Sequence, residues 1–534
     1  MIEDMTAMNM RRYPIGVQTF SEIIRGEFIY VDKTDLIWDV TKESKYVFLS
    51  RPRRFGKSLL SSTLRAYFEG RKDLFEGLKI MQLEKQWTEY PVIHVDLSVC
   101  KGMADGMELR RKIMLLLKTY AESYGGDDDE TTPGGMLAGV IKRAWQKTGR
   151  QTVVIIDEYD APLLDVLHTD EMLSEMRQVM QEFYSPLKAS DPYLRFCFIT
   201  GITKFSQLSI FSTINNLKNI TMLPKFSAIC GFTEQEVKEV FAEDIRSMAE
   251  YQEYSPEEMF QRIKARYDGY HFAYSSEDIY NPFSLLNAFA DKELDNYWFA
   301  TGTPSFLIKQ LQDFRTDITA MDDIEVPSYA FDKPTEAITT ALPLLYQSGY
   351  LTIKGYDKES QLYKLAIPNQ EVRTGFTEGL MPTYTGMEGY EVQTGFALKF
   401  WRALKKDDVE QAMQELQTYL EGIPYVEGFK KKLDNVSSVE RFYEYTLYLI
   451  FSMLNVYVRT QVKCRGGRID MVVLMPTTTY VFELKTTGTA QEALAQIDDR
   501  GYGIAYQTEG RKVVKAGMLF NIEKRTLEDW AIES

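Results

Sequence analysis

The stretch that most constrains this chain runs from residue 46 to residue 60. An apolar run, Tyr46-Val47-Phe48-Leu49, leads into Arg51-Pro52-Arg53-Arg54-Phe55-Gly56-Lys57-Ser58, and Leu59-Leu60 open a helix-like segment. Strand, loop, Gly-Lys-Ser and helix in that order make an anion cradle. Backbone N–H groups at the helix N-terminus face a phosphate, a lysine reaches the outer phosphates, and a hydroxyl meets Mg2+. Lys57 and Ser58 fit the last two roles. The usual pattern has a first glycine where Arg51 stands, and Pro52 removes one N–H donor. Arg51, Arg53 and Arg54 are expected to replace the lost donors with charge, as a rim. The nucleotide contacts expected here are Arg53, Arg54, Phe55, Gly56, Lys57, Ser58 and Leu59.

A second stretch completes such a site. Residues 152–158 read as an apolar strand ending in Asp157 and Glu158. Open α/β sheets present ligands at the carboxyl ends of their strands, so Asp157 is expected to hold Mg2+ and Glu158 to polarise the attacking water. Two acids capping the next segment are the plain alternative; their place about 100 residues after a Gly-Lys-Ser loop favours function. A strand over 194–199 ends in Thr200-Gly201, which makes Thr200 a candidate sensor of the terminal phosphate and Lys204 a second one. A structural turn at Gly201 is the competing reading. Further strands are expected at 91–97 and 228–232, and helices at 35–41 and 106–124. Strand and helix alternating over residues 45–245 argue for a parallel sheet covered on both faces.

With 534 residues, 44% of them hydrophobic, the chain has material for about three domains. Its net charge of -15 argues against indiscriminate binding to nucleic acid or anionic membrane. The charge is unevenly placed: residues 438–534 carry 12 Lys and Arg against 12 Asp and Glu, so the excess lies before them. Four cysteines (Cys100, Cys197, Cys230, Cys464) and three histidines (His94, His168, His271) are dispersed, which argues against a zinc site and for reduced thiols in a cytoplasm. No signal peptide or membrane helix is expected, since the longest apolar run, 445–458, is broken by Thr446, Ser452 and Asn455.

Residues 233–334 have helical spacing, interrupted at Tyr267-Asp268-Gly269-Tyr270 and Tyr280-Asn281-Pro282-Phe283. A helix followed by a hairpin in 335–375 suggests a winged-helix-like module; its helix lacks a run of Lys or Arg, so docking or coupling is favoured over DNA reading. Residues 376–437 read as a helical linker. In the tail, a helix over 438–455 carries Glu440, and strands follow at 456–464, 469–474, 478–485 and 512–520, with a helix at 489–500 carrying Gln496. Period two puts Glu483 and Lys485 on one face of their strand, and a hairpin can bring Asp470 beside them. Two carboxylates suit a hard divalent cation, Mg2+ or Mn2+, while the lysine can orient or activate a water. Against this, Asp and Glu-x-Lys with 12 residues between the acids arise often by chance, and Glu-x-Lys is usually a solvated face.

Taken with Leu345-Tyr346-Gln347-Ser348-Gly349-Tyr350 and Asp157-Glu158-Tyr159-Asp160, the segments quoted above resemble the recurring blocks of a bacterial family: predicted AAA-ATPase-like proteins with a C-terminal PD-(D/E)XK nuclease domain. The resemblance implies that the absent first glycine is a family trait. It implies that Asp470, Glu483 and Lys485 match the nuclease motif, with Glu440 and Gln496 as accessory positions; Ile469 stands where the motif names a proline. The expected α/β architecture is a P-loop NTPase domain over 1–232 with its parallel sheet between helices, a helical subdomain over 233–334, the winged-helix-like module over 335–375, the helical linker over 376–437 and a restriction-endonuclease-like domain over 438–534. The expected function is ATP binding and hydrolysis coupled to metal-dependent cleavage of DNA or RNA, and self-association into a homo-oligomer is compatible with it. The alternative is a slow or non-catalytic nucleotide switch whose tail only binds nucleic acid or a protein.

Overall fold

A computed structural model describes residues 11–534 except 165, 168, 205–215, 301–306, 309, 312–313, 315, 334–338, 386–389, 423–435, 454–456, 465–466, 505, 507–509, 522 and 525. Side chains at 300, 381–385, 390–394, 397, 436–441, 453, 457 and 463–464 also lie outside the described set. The chain divides into two compact units, Met1–Trp298 with Ile324–Asn369, and Phe299–Asp323 with Gln370–Ser534.

The first unit is built on a parallel sheet of five strands: β1 (Tyr46–Ser50), β2 (Val92–Asp96), β3 (Thr152–Asp157), β4 (Leu194–Gly201) and β5 (Lys218–Asn219), in the order β2-β3-β4-β1-β5. β1 and β3 are buried along their whole length, which is why they read as unbroken apolar runs. On one face, helices Gly106–Tyr124, Pro133–Thr148 and Asp170–Tyr184 bring Leu109, Ile113, Val140, Ile141, Met176 and Met180 against Phe48, Val95, Val154 and Ile156. Each such side chain taken fully out of water contributes about 1.5–3 kcal/mol. Helix Lys57–Phe68 packs against the sheet as well, with Phe68 on Phe196, ring centroids 5.2 Å apart.

One strand differs from expectation. The run at 228–232 does not close the sheet; Lys218–Asn219 does, pairing with Val47 and Phe48. Gly231, at φ +90°, breaks the run, and the short β6 (Phe232–Thr233) turns away to pair antiparallel with β7 (Ile279–Tyr280). Thr233 then starts helix Glu234–Val240 with a capping box to Glu236. Helices Ala242–Tyr251, Pro256–Tyr267 and Pro282–Asp291 follow, around Phe241, Met248, Ile263, Leu285 and Phe289. The unit also holds β8 (Ile324–Val326), helix Leu342–Ser348, β9 (Thr352–Asp357) and β10 (Leu362–Ala366), the strands forming an antiparallel sheet in the order β8-β10-β9.

In the second unit, helices Gln370–Thr385, Tyr390–Lys405, Val409–Glu421 and Val436–Met453 precede a five-stranded sheet. Its strands β11 (Tyr457–Cys464), β12 (Gly467–Leu474), β13 (Thr478–Lys485), β14 (Lys512–Asn521) and β15 (Thr526–Glu533) lie in chain order. All neighbours are antiparallel except β13 and β14, which are parallel because helix Ala490–Asp499 crosses between them. Among the described residues no helix is long and apolar enough to cross a membrane.

Candidate active sites

β1 delivers the chain into the loop at the carboxyl end of the first sheet. The Arg51 N–H donates to the Gly201 carbonyl at 3.2 Å, which ties the loop to the end of β4. Gly56, at φ +92°, caps helix Lys57–Phe68 from the left-handed region, and Arg54 is left-handed too, at φ +67°.

Arg51 is not part of a charged rim. Its guanidinium is buried, donates to the carbonyls of Ser50, Thr221 and Phe226 at 2.9–3.0 Å, and stacks 4.2 Å from the Phe272 ring centroid. Burial pulls its pKa down to about 10, as expected for a cation held by neutral carbonyls. Where the usual loop has a glycine, this chain anchors the loop to its own core.

The remaining loop residues are fastened in the same manner. The Phe55 ring packs edge-on against Tyr270 at 4.7 Å and Phe272 at 5.3 Å, leaving only its backbone for a ligand. The Arg54 guanidinium lies 4.7 Å from the Phe283 ring centroid, the Arg53 carbonyl accepts from Trp298 Nε1 at 3.2 Å, and Pro52 packs on Gly349. Tyr270, Phe283 and Gly349 belong to three separate segments whose sequences stood out, and all three meet on this loop. The Arg53 and Arg54 side chains are exposed, and Leu59 is half-buried.

Lys57 is buried, with Nζ 3.1 Å from the carbonyl oxygens of both Arg51 and Pro52. The Ser58 hydroxyl stands beside Asp157 and favours its ionised form. Burial raises Asp157 to about 6 against the opposing pull of Ser58 and Lys57. Glu158, left-handed at φ +48°, is held 3.2 Å from Lys101 Nζ. Its burial would raise its pKa, but Lys57, Lys101 and Arg53 together take it below the ordinary value. Thr200 is fully buried at the end of β4, and its hydroxyl has no hydrogen-bond partner among the described residues. Lys204 is engaged elsewhere: its ammonium bonds Asp332 at 2.6 Å and its N–H donates to Gln347 Oε1 at 2.7 Å. Lys101 had no signal in the sequence, because only the fold brings it to Glu158.

The second site lies on β12 and β13. Met471 pairs with Phe482, so Asp470 and Glu483 stand at the same level of neighbouring strands. Asp470 Oδ2 accepts the Leu484 N–H at 2.9 Å. Helix Ala490–Asp499 covers the face of Val481 with Leu494 and Ile497, which places Gln496 over Glu483 and Lys485. Lys485 Nζ donates to Gln496 Oε1 at 3.1 Å, and Gln496 Nε2 donates to Glu483 Oε1. Glu483 is buried, and its other oxygen, Oε2, has no partner among the described residues. Burial first, and Asp470 second, push its pKa up to about 7, despite Lys485. An unpartnered buried carboxylate oxygen beside a second carboxylate fits a hard divalent cation. Among the described residues no group of three or more His, Cys, Asp and Glu is gathered to hold a metal, so this site offers two protein carboxylates. The Glu440 side chain lies outside the described residues.

Residues 14–211 match a family described as predicted AAA-ATPase, and residues 438–530 match the PD-(D/E)XK nuclease superfamily. A protein of Azotobacter chroococcum mcd 1, described as "Uncharacterized protein in vnfD 5'region", is 32% identical over 534 residues, covering 99% of this chain and 100% of that one. The chain belongs to this AAA-ATPase-like family with a C-terminal PD-(D/E)XK domain. The parallel sheet carrying the phosphate loop and the tail sheet carrying Asp470 and Glu483 are therefore an ATPase-like module and a nuclease-like module of that family.

Proposed function

We propose that the chain binds and hydrolyses ATP at the loop of residues 51–58 and cleaves nucleic-acid phosphodiesters at Asp470, Glu483 and Lys485. The observation that carries the nuclease half is the buried, unpartnered Glu483 Oε2 beside Asp470. At the first site the backbone of residues 53–59 and Lys57 hold the phosphates, Ser58 and Asp157 hold Mg2+, and Thr200 meets the terminal phosphate. Glu158 takes the proton of the water whose oxygen adds to the terminal phosphorus as the bridging P–O bond breaks. At the second site Asp470 and Glu483 hold Mg2+ or Mn2+, Lys485 orients the attacking water, and Gln496 fixes Lys485 and Glu483 to one another. A divalent cation, when bound at either site, withdraws charge from the phosphate under attack.

A second reading, a slow nucleotide switch, is favoured by the pairing at the first site. Lys57 is bonded to loop carbonyls and Glu158 to Lys101, so both must change partners before turnover. One paired assay separates the two: ATP turnover, and Mg2+- or Mn2+-dependent cleavage of DNA and RNA, for the wild type, Lys57→Ala and Asp470→Ala. Lys57→Ala is expected to lose turnover and Asp470→Ala to lose cleavage. A wild type that cleaves neither polymer with either metal sinks the nuclease reading. Nucleotide binding without turnover favours the switch.

A further inference from the structure

Helix Ala490–Asp499 has a fixed start, since Thr489 and Glu492 form a capping box. Its register carries Gln496 over Glu483 and Lys485, and the Arg500 N–H donates to the Gln496 carbonyl at 3.2 Å, one turn further on the same side. A cation at a helix C-terminus is commonly no more than a partner for the helix dipole. Three observations set Arg500 apart from that.

First, it is built in. Gly467, which opens β12 at φ +141°, makes room for it: a Cβ there would stand 2.6 Å from Arg500 Nη1 and 2.9 Å from Tyr502 Oη. The buried Tyr502 hydroxyl accepts the Arg468 N–H at 3.2 Å and an Arg500 N–H at 3.4 Å, linking helix end, phenol and β12. Second, its charge is unspent. Arg500 is exposed, and among the described residues its guanidinium bonds Tyr502 and no carboxylate. Lys515, in the same unit, shows the contrast, with Asp498 at 2.5 Å and Glu533 at 2.8 Å. Third, it follows by one helical turn on the side of Gln496, whose amide bonds both Glu483 and Lys485, and its charge acts to lower the Glu483 pKa.

We propose that Arg500 is a substrate-binding residue of the nuclease-like site, taking a backbone phosphate of the nucleic acid beside the bond that Asp470 and Glu483 address. This rests on the nuclease reading of that site. A planar guanidinium offers two parallel N–H donors to a phosphodiester's free oxygens, and such contacts fix the polymer's register without reading its bases. The sequence preference of the site is therefore independent of Arg500.

The test uses the full chain. Binding of fluorescent DNA and RNA oligomers is measured across a salt series in an Asp470→Asn background, and cleavage in the wild-type background. Arg500→Ala is expected to weaken binding about 5- to 20-fold and to lower the slope of log affinity against log salt by about one, as loss of one phosphate contact requires. Arg500→Lys should keep the slope and recover part of the affinity. In cleavage, KM should rise while kcat stays within about 3-fold, the mark of lost binding common to ground and transition states. Gly467→Ala, which pushes the guanidinium aside, should act in the same direction more weakly. Unchanged thermal unfolding of each variant serves as the check on folding. If the wild type cleaves while Arg500→Ala leaves affinity, salt slope and KM unmoved, the proposal is overturned and the nuclease reading stands. If the wild type neither binds nor cleaves nucleic acid, both fall.

Discussion

The phosphate loop and the tail site bury their carboxylates in different company. Burial lifts both, Asp157 to about 6 and Glu483 to about 7, yet what accompanies burial differs. Asp157 has the Ser58 hydroxyl, the Glu158 N–H at 2.9 Å and the charge of Lys57 to offset it. Glu483 has Asp470 adding to the cost, Lys485 opposing it, and one oxygen that nothing bonds. At the first site Lys57 and Glu158 already have partners, so on the proposed function a nucleotide would displace bonds already made. At the second, Glu483 Oε2 is desolvated and has no donor among the described residues, an environment that a proton or a cation relieves.

The largest effect that tests this contrast comes from Glu483→Gln. Metal-dependent cleavage should fall more than about 100-fold, beyond what loss of an outer partner of a metal costs. The same substitution should stabilise the metal-free second unit by about 1–3 kcal/mol at pH 8, since the buried charge is gone. Denaturant unfolding in a chelator measures this, and loss of stability there would break the comparison.

Next in size is Arg51→Gly, which restores the usual loop pattern. It should destabilise the first unit by about 3 kcal/mol or more, because the buried carbonyls of Thr221 and Phe226 lose their donor. A stable Arg51→Gly chain would mean that the loop does not depend on the core beneath it.

The smallest effect is a difference in pH. A carboxylate whose folded pKa is raised binds its proton more tightly in the folded chain. Metal-free stability from Glu483 is thus fully present below its ordinary value of 4.5 and is lost as pH rises through about 7. Cation affinity runs the other way, since the neutral acid must first lose its proton. Mg2+-nucleotide binding at the first site should weaken below about pH 6, and metal binding at the second below about pH 7. Calorimetric titrations across pH 5–8 resolve the two, and coincident midpoints would remove the distinction.

How much of this could be read in advance follows from the range of the forces involved. β1, the loop and its helix were legible because apolar run, left-handed glycine and helix start are adjacent in the chain. β13 was legible because alternation reports its faces directly. β5 was not, since Lys218-Asn219 is too short and polar to show a period, while the apolar run before Phe232 imitated a strand until Gly231 turned it. Arg51 misled because charge ordinarily marks a surface, and only carbonyls about 170 residues away make its burial tolerable. The bridge from Gln496 to Glu483 and Lys485 is likewise set by helix packing, which no local pattern encodes.

The anchoring of the phosphate loop bears on what a ligand has left to rearrange. Arg51 beneath it, Phe55 among aromatic rings and Pro52 against Gly349 hold its backbone in shape before any phosphate arrives. A slack loop gives up about 1–2 kcal/mol of conformational freedom per residue each time it closes on a ligand, whereas here that cost falls once, when the chain folds. On the proposed function, a nucleotide would then meet a backbone already in shape, and what binding has left to rearrange is the side-chain bonds of Lys57 and Glu158.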